Sequence, residues 1–426
     1  MKLALLVAIA ATTPAMGATL YWNADGAGGG VGTWDSSTTA VWNPASDFSG
    51  TNGVWTQPGG EDIAEFRGPG SATVTVSGTV NVNRIRFAST TGNNWTLTGG
   101  TINLTGEAVL ERQVNNQFYS SNISGNNGVT FLGGGIQVFQ TTQKTYLGPT
   151  NINGNTLRLA TANVLPFTTV VTFNGGNVDQ RANAQIAGLA GTTTGGWTNT
   201  TNSATLTLDR DSGSSTFGGT LAQSGTTLSI TKAGGYTQIL TGSLANTATG
   251  THTINGGVLA LAKTAGTDAI ANAPIVLNGG QLRLDNSNQI NDAADMSFSG
   301  GTFNLNGFDE TLDIATLTAN SSIDFGTDGS ILSLSQLLRT GGVLTINNWD
   351  GSPNVGGGLD QLRVTSLPDA DVLSNIVFSN YQANAIAINF GSYFEIVPEV
   401  VSVIPEPASL CLLAGAALLP LRRRRV

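Results

Sequence analysis

Cysteine and histidine are nearly missing from this chain. Its 426 residues hold one of each, Cys411 and His252. A single cysteine excludes an internal disulfide framework. A single histidine cannot build a multi-histidine zinc centre, and no evident serine and aspartate stand with it to make a triad. Charge is scarce too, at 11% Asp, Glu, Lys and Arg, with a net charge of −9. Low charge signals disorder only when apolar residues are also few, and here they make up 40%. Long amphipathic helical periods are lacking. What is plentiful is glycine, at 56 residues, together with Thr, Asn, Ser and Ala. That combination points to an all-β chain.

The strongest pattern lies between Ile254 and Ile346. Asn255-Gly256-Gly257 precedes Val258-Leu259-Ala260-Leu261, and Asn278-Gly279-Gly280 precedes Gln281-Leu282-Arg283-Leu284. Ser299-Gly300-Gly301 and Thr340-Gly341-Gly342 open two more such lines, with Ile323 and Phe325 supplying an apolar pair between them. The second apolar residue falls at 261, 284, 305, 325 and 346, in steps of 23, 21, 20 and 21. A strand alternates its side chains, so Leu282 and Leu284 share one face. Glycine permits the positive-φ corner before it. One such line cannot bury its apolar face, but a stack can, and a period near 21 is the mark of a solenoid. A β-sandwich has turn signals every ~8–12 residues and no reason to keep this period.

The chain is expected to divide as follows. Residues 1–17 read as a secretory signal: Met1-Lys2, an apolar run from Leu3 to Ala11, and small residues before a cut between Gly17 and Ala18. Residues 18–70 hold Trp22, Trp34, Trp42 and Trp55. Clustered tryptophans can stack on sugars, but an open solenoid end also needs a plug, and the cap is the favoured reading. Repeats follow over 71–350, final rungs and a second cap over 351–398, and a linker with a tail over 399–426.

The layout of tryptophan-rich start, Thr73-Val74-Thr75-Val76-Ser77-Gly78 and Ile85-Arg86-Phe87 resembles secreted bacterial proteins built on the autotransporter-associated β-strand repeat. Two copies are readable, near 123–160 and 221–261. The first carries Thr145-Tyr146, Gly148, Thr150, Ile152, Gly154, Leu157 and Leu159. The second carries Thr231-Lys232, Gly234, Asn246-Thr247, Gly250-Thr251 and Gly256-Gly257, with Ala248 where the family has an aromatic residue. The resemblance implies a right-handed parallel β-helix in an exported protein, and it carries over no catalytic residue and no cofactor.

The tail resembles the PEP-CTERM sorting signal. Pro405-Glu406-Pro407 leads into a 14-residue apolar segment from Ala408 to Leu421, closed by Arg422, Arg423, Arg424 and Arg425. Fourteen residues fall short of the ~20 that span a bilayer, and the arginines would hold the terminus in the cytoplasm. The resemblance implies transient inner-membrane insertion as a short transmembrane tail and cleavage by an exosortase-type enzyme in a Gram-negative bacterium. The expected location is the cell surface or extracellular space.

Candidate chemistry is thin. Without Lys2 and the four terminal arginines, 13 of the 18 basic groups face 27 acidic ones. That balance disfavours nucleic acid and anionic lipid as partners and suits divalent ions or a neutral matrix, with extracellular polysaccharide as a candidate partner. His252 is read as outward-facing, in antiphase to Thr251 and Thr253 as core residues. A glycosidase needs only a carboxylate pair, and Asp324 and Asp328 near Asp309, Glu310 and Asp313 form the best candidate, read mainly as surface charge. Glu61, Asp62 and Glu65 are read as solvated. Asp209 and Asp211, in a Thr/Gly/Ser-rich stretch over 192–216 read as a long rung with a protruding loop, fall short of the six to eight oxygens that calcium takes. No metal site is expected. The sequence thus predicts a non-enzymatic adhesive or structural matrix protein, with a polysaccharide-degrading β-helix lyase or hydrolase as the alternative.

Overall fold

The computed structural model describes residues 17–56, 62–88, 94–192 and 195–400. One coil shows how the rest is built. Gly196–Asn199, Ala204–Asp209 and Ser214–Phe217 are three successive strands with a corner after each. Each lies parallel to its counterpart in the following coil: Thr220–Gln223, Leu228–Ala233 and Thr237–Gly242. Repetition gives three parallel faces and an all-β parallel solenoid of about 13 turns. The stretch over 192–216 is therefore not a protruding loop. It supplies a full coil, with Trp197 buried and its Nε1 donating to Gln180 Oε1 at 2.5 Å. The alternating residues of Trp197-Thr198-Asn199 and Ala204 to Leu208 outweigh the turn-like composition around them.

The core follows the alternation. Leu206 and Leu208 point inward between Thr205, Thr207 and Asp209. Leu206 is in register with Ile230, and Ile230 with His252. Between 254 and 346 the strands stack in parallel as the period requires: Leu261 faces Leu284, Leu282 faces Phe303, and Phe303 faces Ile323. The last step departs from the expected spacing. Ile346 pairs with Ile323, not with Phe325. A slip of two residues leaves every side chain on its expected face, so an apolar pattern of period two cannot detect it.

The glycines work by close approach as much as by conformation. Gly257 has φ +58°, and a Cβ there would sit 2.3 Å from the carbonyl oxygen of Tyr236 in the preceding coil. Gly266 has φ +73° with open space around it. Both substitutions to alanine meet left-handed strain of ~1–2 kcal/mol, and only Gly257 adds an overpacking cost of ~1–3 kcal/mol. Gly257→Ala is therefore expected to lose about 3 kcal/mol and Gly266→Ala about 1 kcal/mol. Urea unfolding of the two variants checks this, and equal losses would refute the close-approach account.

Both ends finish with antiparallel strands. At the start, Thr19–Trp22 pairs parallel to Ile63–Phe66 but antiparallel to Trp42–Asn43. Trp22, Trp34, Trp42 and Trp55 are buried and lock edge to face, with Trp34 and Trp42 centroids 5.1 Å apart. The motif-bearing residues over 73–87 lie in one 16-residue strand, Ala72–Phe87, whose pairing with the next strand carries two register shifts. At the far end Phe394–Pro398 runs antiparallel to Gln361–Val364, and Ala383–Asn389 antiparallel to Ile376–Phe378. A five-residue helix, Ala370–Ser374, fills the corner between. Strands of reversed direction end a stack because they do not present another parallel edge to a further coil.

Candidate functional site

The carboxylates singled out in the sequence fall in two places. Asp309, Asp324 and Asp328 stand at the corner where one face ends and the next begins. Asp313 stands one whole face away, between 310–312 and 314–317. Asp309, Asp324 and Asp313 each have a local partner. Asp309 Oδ1 accepts from Ile331 N at 2.7 Å, and Asp324 Oδ1 accepts from Gly326 N at 3.0 Å and Asn348 Nδ2 at 2.8 Å. Asp313 Oδ1 accepts from Ser335 Oγ.

Glu310 is not surface charge. It is buried, and its Oε2 accepts from Gln289 N at 2.8 Å and Ile290 N at 3.2 Å. Burial pushes its carboxyl up to about 8 despite those bonds. Phase explains the placement: Glu310 continues inward with Leu312. Glu65 is likewise buried, paired with Arg67 and, at 3.5 Å, with Arg86. Asp62 accepts from Ala18 N at 2.9 Å.

His252 also reverses its expected direction. It is buried, in register with Ile230 and Ile275, while Thr251 and Thr253 face outward. Ile254 fixes the phase of this strand and carries His252 inward with it. Nδ1 lies 3.0 Å from Gly250 O, and Nε2 is buried without a partner. Burial lowers the imidazole to about 4. A neutral ring sealed among aliphatic side chains has no route to a substrate.

Three buried lysines were not singled out, although two were legible. Lys232 continues the inward phase of Leu228 and Ile230, and Lys263 that of Leu259 and Leu261. Lys144 Nζ donates to Tyr119 O at 3.0 Å and Ser121 O at 2.8 Å, and Lys263 Nζ to Gly219 O at 3.1 Å and Thr241 O at 3.0 Å. Burial lowers Lys144 to about 7 and Lys263 to about 8. Their acceptors are main-chain carbonyls of neighbouring coils, so these ammonium groups bind coil to coil.

The tryptophan rings are enclosed by one another and by Phe66, which removes them as a sugar-stacking surface. Asp209 and Asp211 flank Arg210 at a corner, and Gln185 Nε2 donates to Asp209 Oδ2 at 3.3 Å. Among the described residues no group of three or more His, Cys, Asp or Glu could hold a metal ion. No described helix is long and apolar enough to cross a membrane. Gly17 and Ala18 lie at the start of the described chain. Pro405, Glu406, Pro407, Cys411 and Arg422 to Arg425 lie outside the described residues, as does Glu61.

Fold and surface define an all-β parallel solenoid in which Lys144, Lys263 and Glu310 hold neighbouring coils together. Among known proteins, the chain is similar to the adhesin BmaC autotransporter of Brucella suis biovar 1 (strain 1330), at 29% identity over 183 residues. The match covers 41% of this chain and 5% of that protein's length. No family model and no solved structure matches the chain.

Proposed function

We propose that this is an exported, non-enzymatic protein of the cell surface or extracellular matrix, with an adhesive or structural role. The observation that carries the reading is the long parallel stack, whose three faces offer extended surface, in a chain similar to an adhesin. The coils are read as right-handed. The tail beyond residue 400 is read as the sorting signal: brief insertion in the inner membrane, then cleavage by an exosortase-type enzyme near Pro405-Glu406-Pro407. A signal peptidase cut before Ala18 would turn its N–H into an ammonium group beside the Asp62 carboxylate, already 2.9 Å away, and so give the new terminus a charge-assisted partner.

Protease shaving of intact producing cells, followed by mass spectrometry, tests the reading. The expected peptides span residues 18–400 and begin at Ala18, and none contains Arg422 to Arg425. Release of the protein only after lysis would overturn surface display. Surface peptides that include the arginines would overturn tail removal. The rival is a β-helix enzyme that degrades polysaccharide, which requires that Asp324 and Asp328, at one corner, act as a pair.

A further inference from the structure

A notch opens at one corner of the stack where a short turn lies between two longer ones. Ala184–Ile186 and Gly188–Ala190 are joined by Ala187 alone. In the following coil, four residues, Arg210 to Gly213, join Ala204–Asp209 to Ser214–Phe217. In the preceding coil, Phe167 and Thr168 stand out before Val170–Phe173. The recessed corner becomes the floor and the longer corners become walls. The space is about 250 Å³, lined by Phe167, Thr168, Ala187, Asp209, Arg210 and Asp211.

Its chemistry is mixed in a specific way. Phe167 is 42% exposed, a large apolar ring held in solvent. Asp211 is exposed and Asp209 partly so. Arg210 lies with its guanidinium carbon 4.7 Å over the Tyr236 ring, and its Nε and Nη2 are buried without an acceptor. The guanidinium is thus oriented by an aromatic face, and Nη1 is its one nitrogen outside that buried pair where Arg210 lines the notch. Carboxylates only accept and guanidinium only donates. Three consecutive residues therefore present acceptor, donor, acceptor beside an apolar ring.

From this arrangement we infer a binding site for one uncharged sugar unit of a polysaccharide. A sugar's neighbouring hydroxyls both donate and accept, so they satisfy carboxylate and guanidinium together, and its C–H face can lie on Phe167. A simple anion would meet two carboxylates, and a simple cation would meet the guanidinium. The volume lies below the ~300–1,000 Å³ of sites that enclose a drug-sized molecule, which suits one ring of a chain that continues along the surface. The inference rests on the adhesive reading and gives that reading a ligand class.

The test uses the full chain on an array of uncharged hexose and N-acetylhexosamine oligosaccharides, with uronic acid oligosaccharides alongside, in buffer containing EDTA. The strongest uncharged binder is then titrated against wild type, Phe167→Ala, Asp211→Asn and, as a control exposed elsewhere, Leu244→Ala. All three positions are at the surface, so unchanged melting is expected. A tenfold or greater loss of affinity for Phe167→Ala and Asp211→Asn, with Leu244→Ala unchanged, supports the site. Binding that none of the variants alters overturns it, as does preference for uronic acids. A signal that appears only when calcium replaces EDTA also overturns it and marks a cation site. If Phe167→Ala still binds the producing organism's matrix polysaccharide as wild type does, the notch fails while the adhesive reading stands.

Discussion

Trp42→Ala is expected to lower stability by about 3–5 kcal/mol and to release the first coils from the stack. The side chain is 1% exposed and lies within 5.3 Å, centroid to centroid, of Trp22, Trp34 and Trp55. Truncating a buried tryptophan loses its transfer free energy and leaves a cavity that the remaining rings cannot fill. The effect should be local in the first instance. A solenoid coil contacts only its neighbours, so losing the cap exposes a strand edge and apolar core at one end while the far coils persist. Hydrogen exchange should show early loss of protection over 63–87, with 275–346 still protected, and the variant should self-associate. A uniform loss of protection along the chain would refute the capping role. The Nε1 groups of Trp34 and Trp42 are buried without partners, so a phenylalanine at 42 should recover most of the loss.

The second large effect is in pH. His252 stays neutral in the folded chain down to about pH 4, against an ordinary 6.5. The folded state therefore binds fewer protons than the unfolded state between those values. The stability involved is fully present above about pH 6.5 and is lost as pH falls towards 4, by on the order of 3 kcal/mol. Glu310 acts with the opposite sign. Its carboxyl is raised to about 8 from 4.5, so the folded state keeps a proton that the unfolded state gives up, and stability falls as pH rises between those values. The two nearly offset each other from about pH 4.5 to 6.5 in the wild type. A comparison separates them. His252→Met removes the imidazole and its unpartnered Nε2 with little change in volume. It should match wild-type stability within about 1 kcal/mol at pH 7.5 and exceed it by about 3 kcal/mol at pH 4. Chemical denaturation at the two pH values reads the difference directly. A constant gap between the two proteins would mean that the ring titrates as if exposed.

These residues also show what the sequence could and could not disclose. The parallel stack was legible because glycine pairs and apolar pairs recur together, as in Gly279-Gly280 before Leu282 and Leu284. The direction of His252 was legible too, from Ile254 in the same strand, but a polar residue flanked by threonines invites the outward assignment. Lys232, Lys263 and Glu310 lie in phase with leucines and isoleucines. Their burial depends in part on carbonyl and amide groups of other coils, such as Gly256 for Lys232, Thr241 for Lys263 and Gln289 for Glu310, and local pattern does not report those. The register of Ile346 was hidden because a shift by two preserves every face. The notch at Ala187 was hidden for a related reason. It depends on the difference in corner length between consecutive coils, and the Thr/Gly/Ser-rich composition over 192–216 masked the strands that define the lower wall. Asp209 and Asp211 were noticed as charges, whereas Phe167, which stands two coils earlier in the chain, had no visible link to them.

The adhesive account claims that the solenoid binds matrix polysaccharide and leaves it intact. The direct measurement incubates the purified full chain with the producing organism's own extracellular polysaccharide and follows polymer mass by size-exclusion chromatography with light scattering. The account predicts that protein elutes with the polymer and that polymer mass does not change over long incubation. A falling polymer mass, abolished by changing Asp324 or Asp328, would contradict it and establish the enzyme instead.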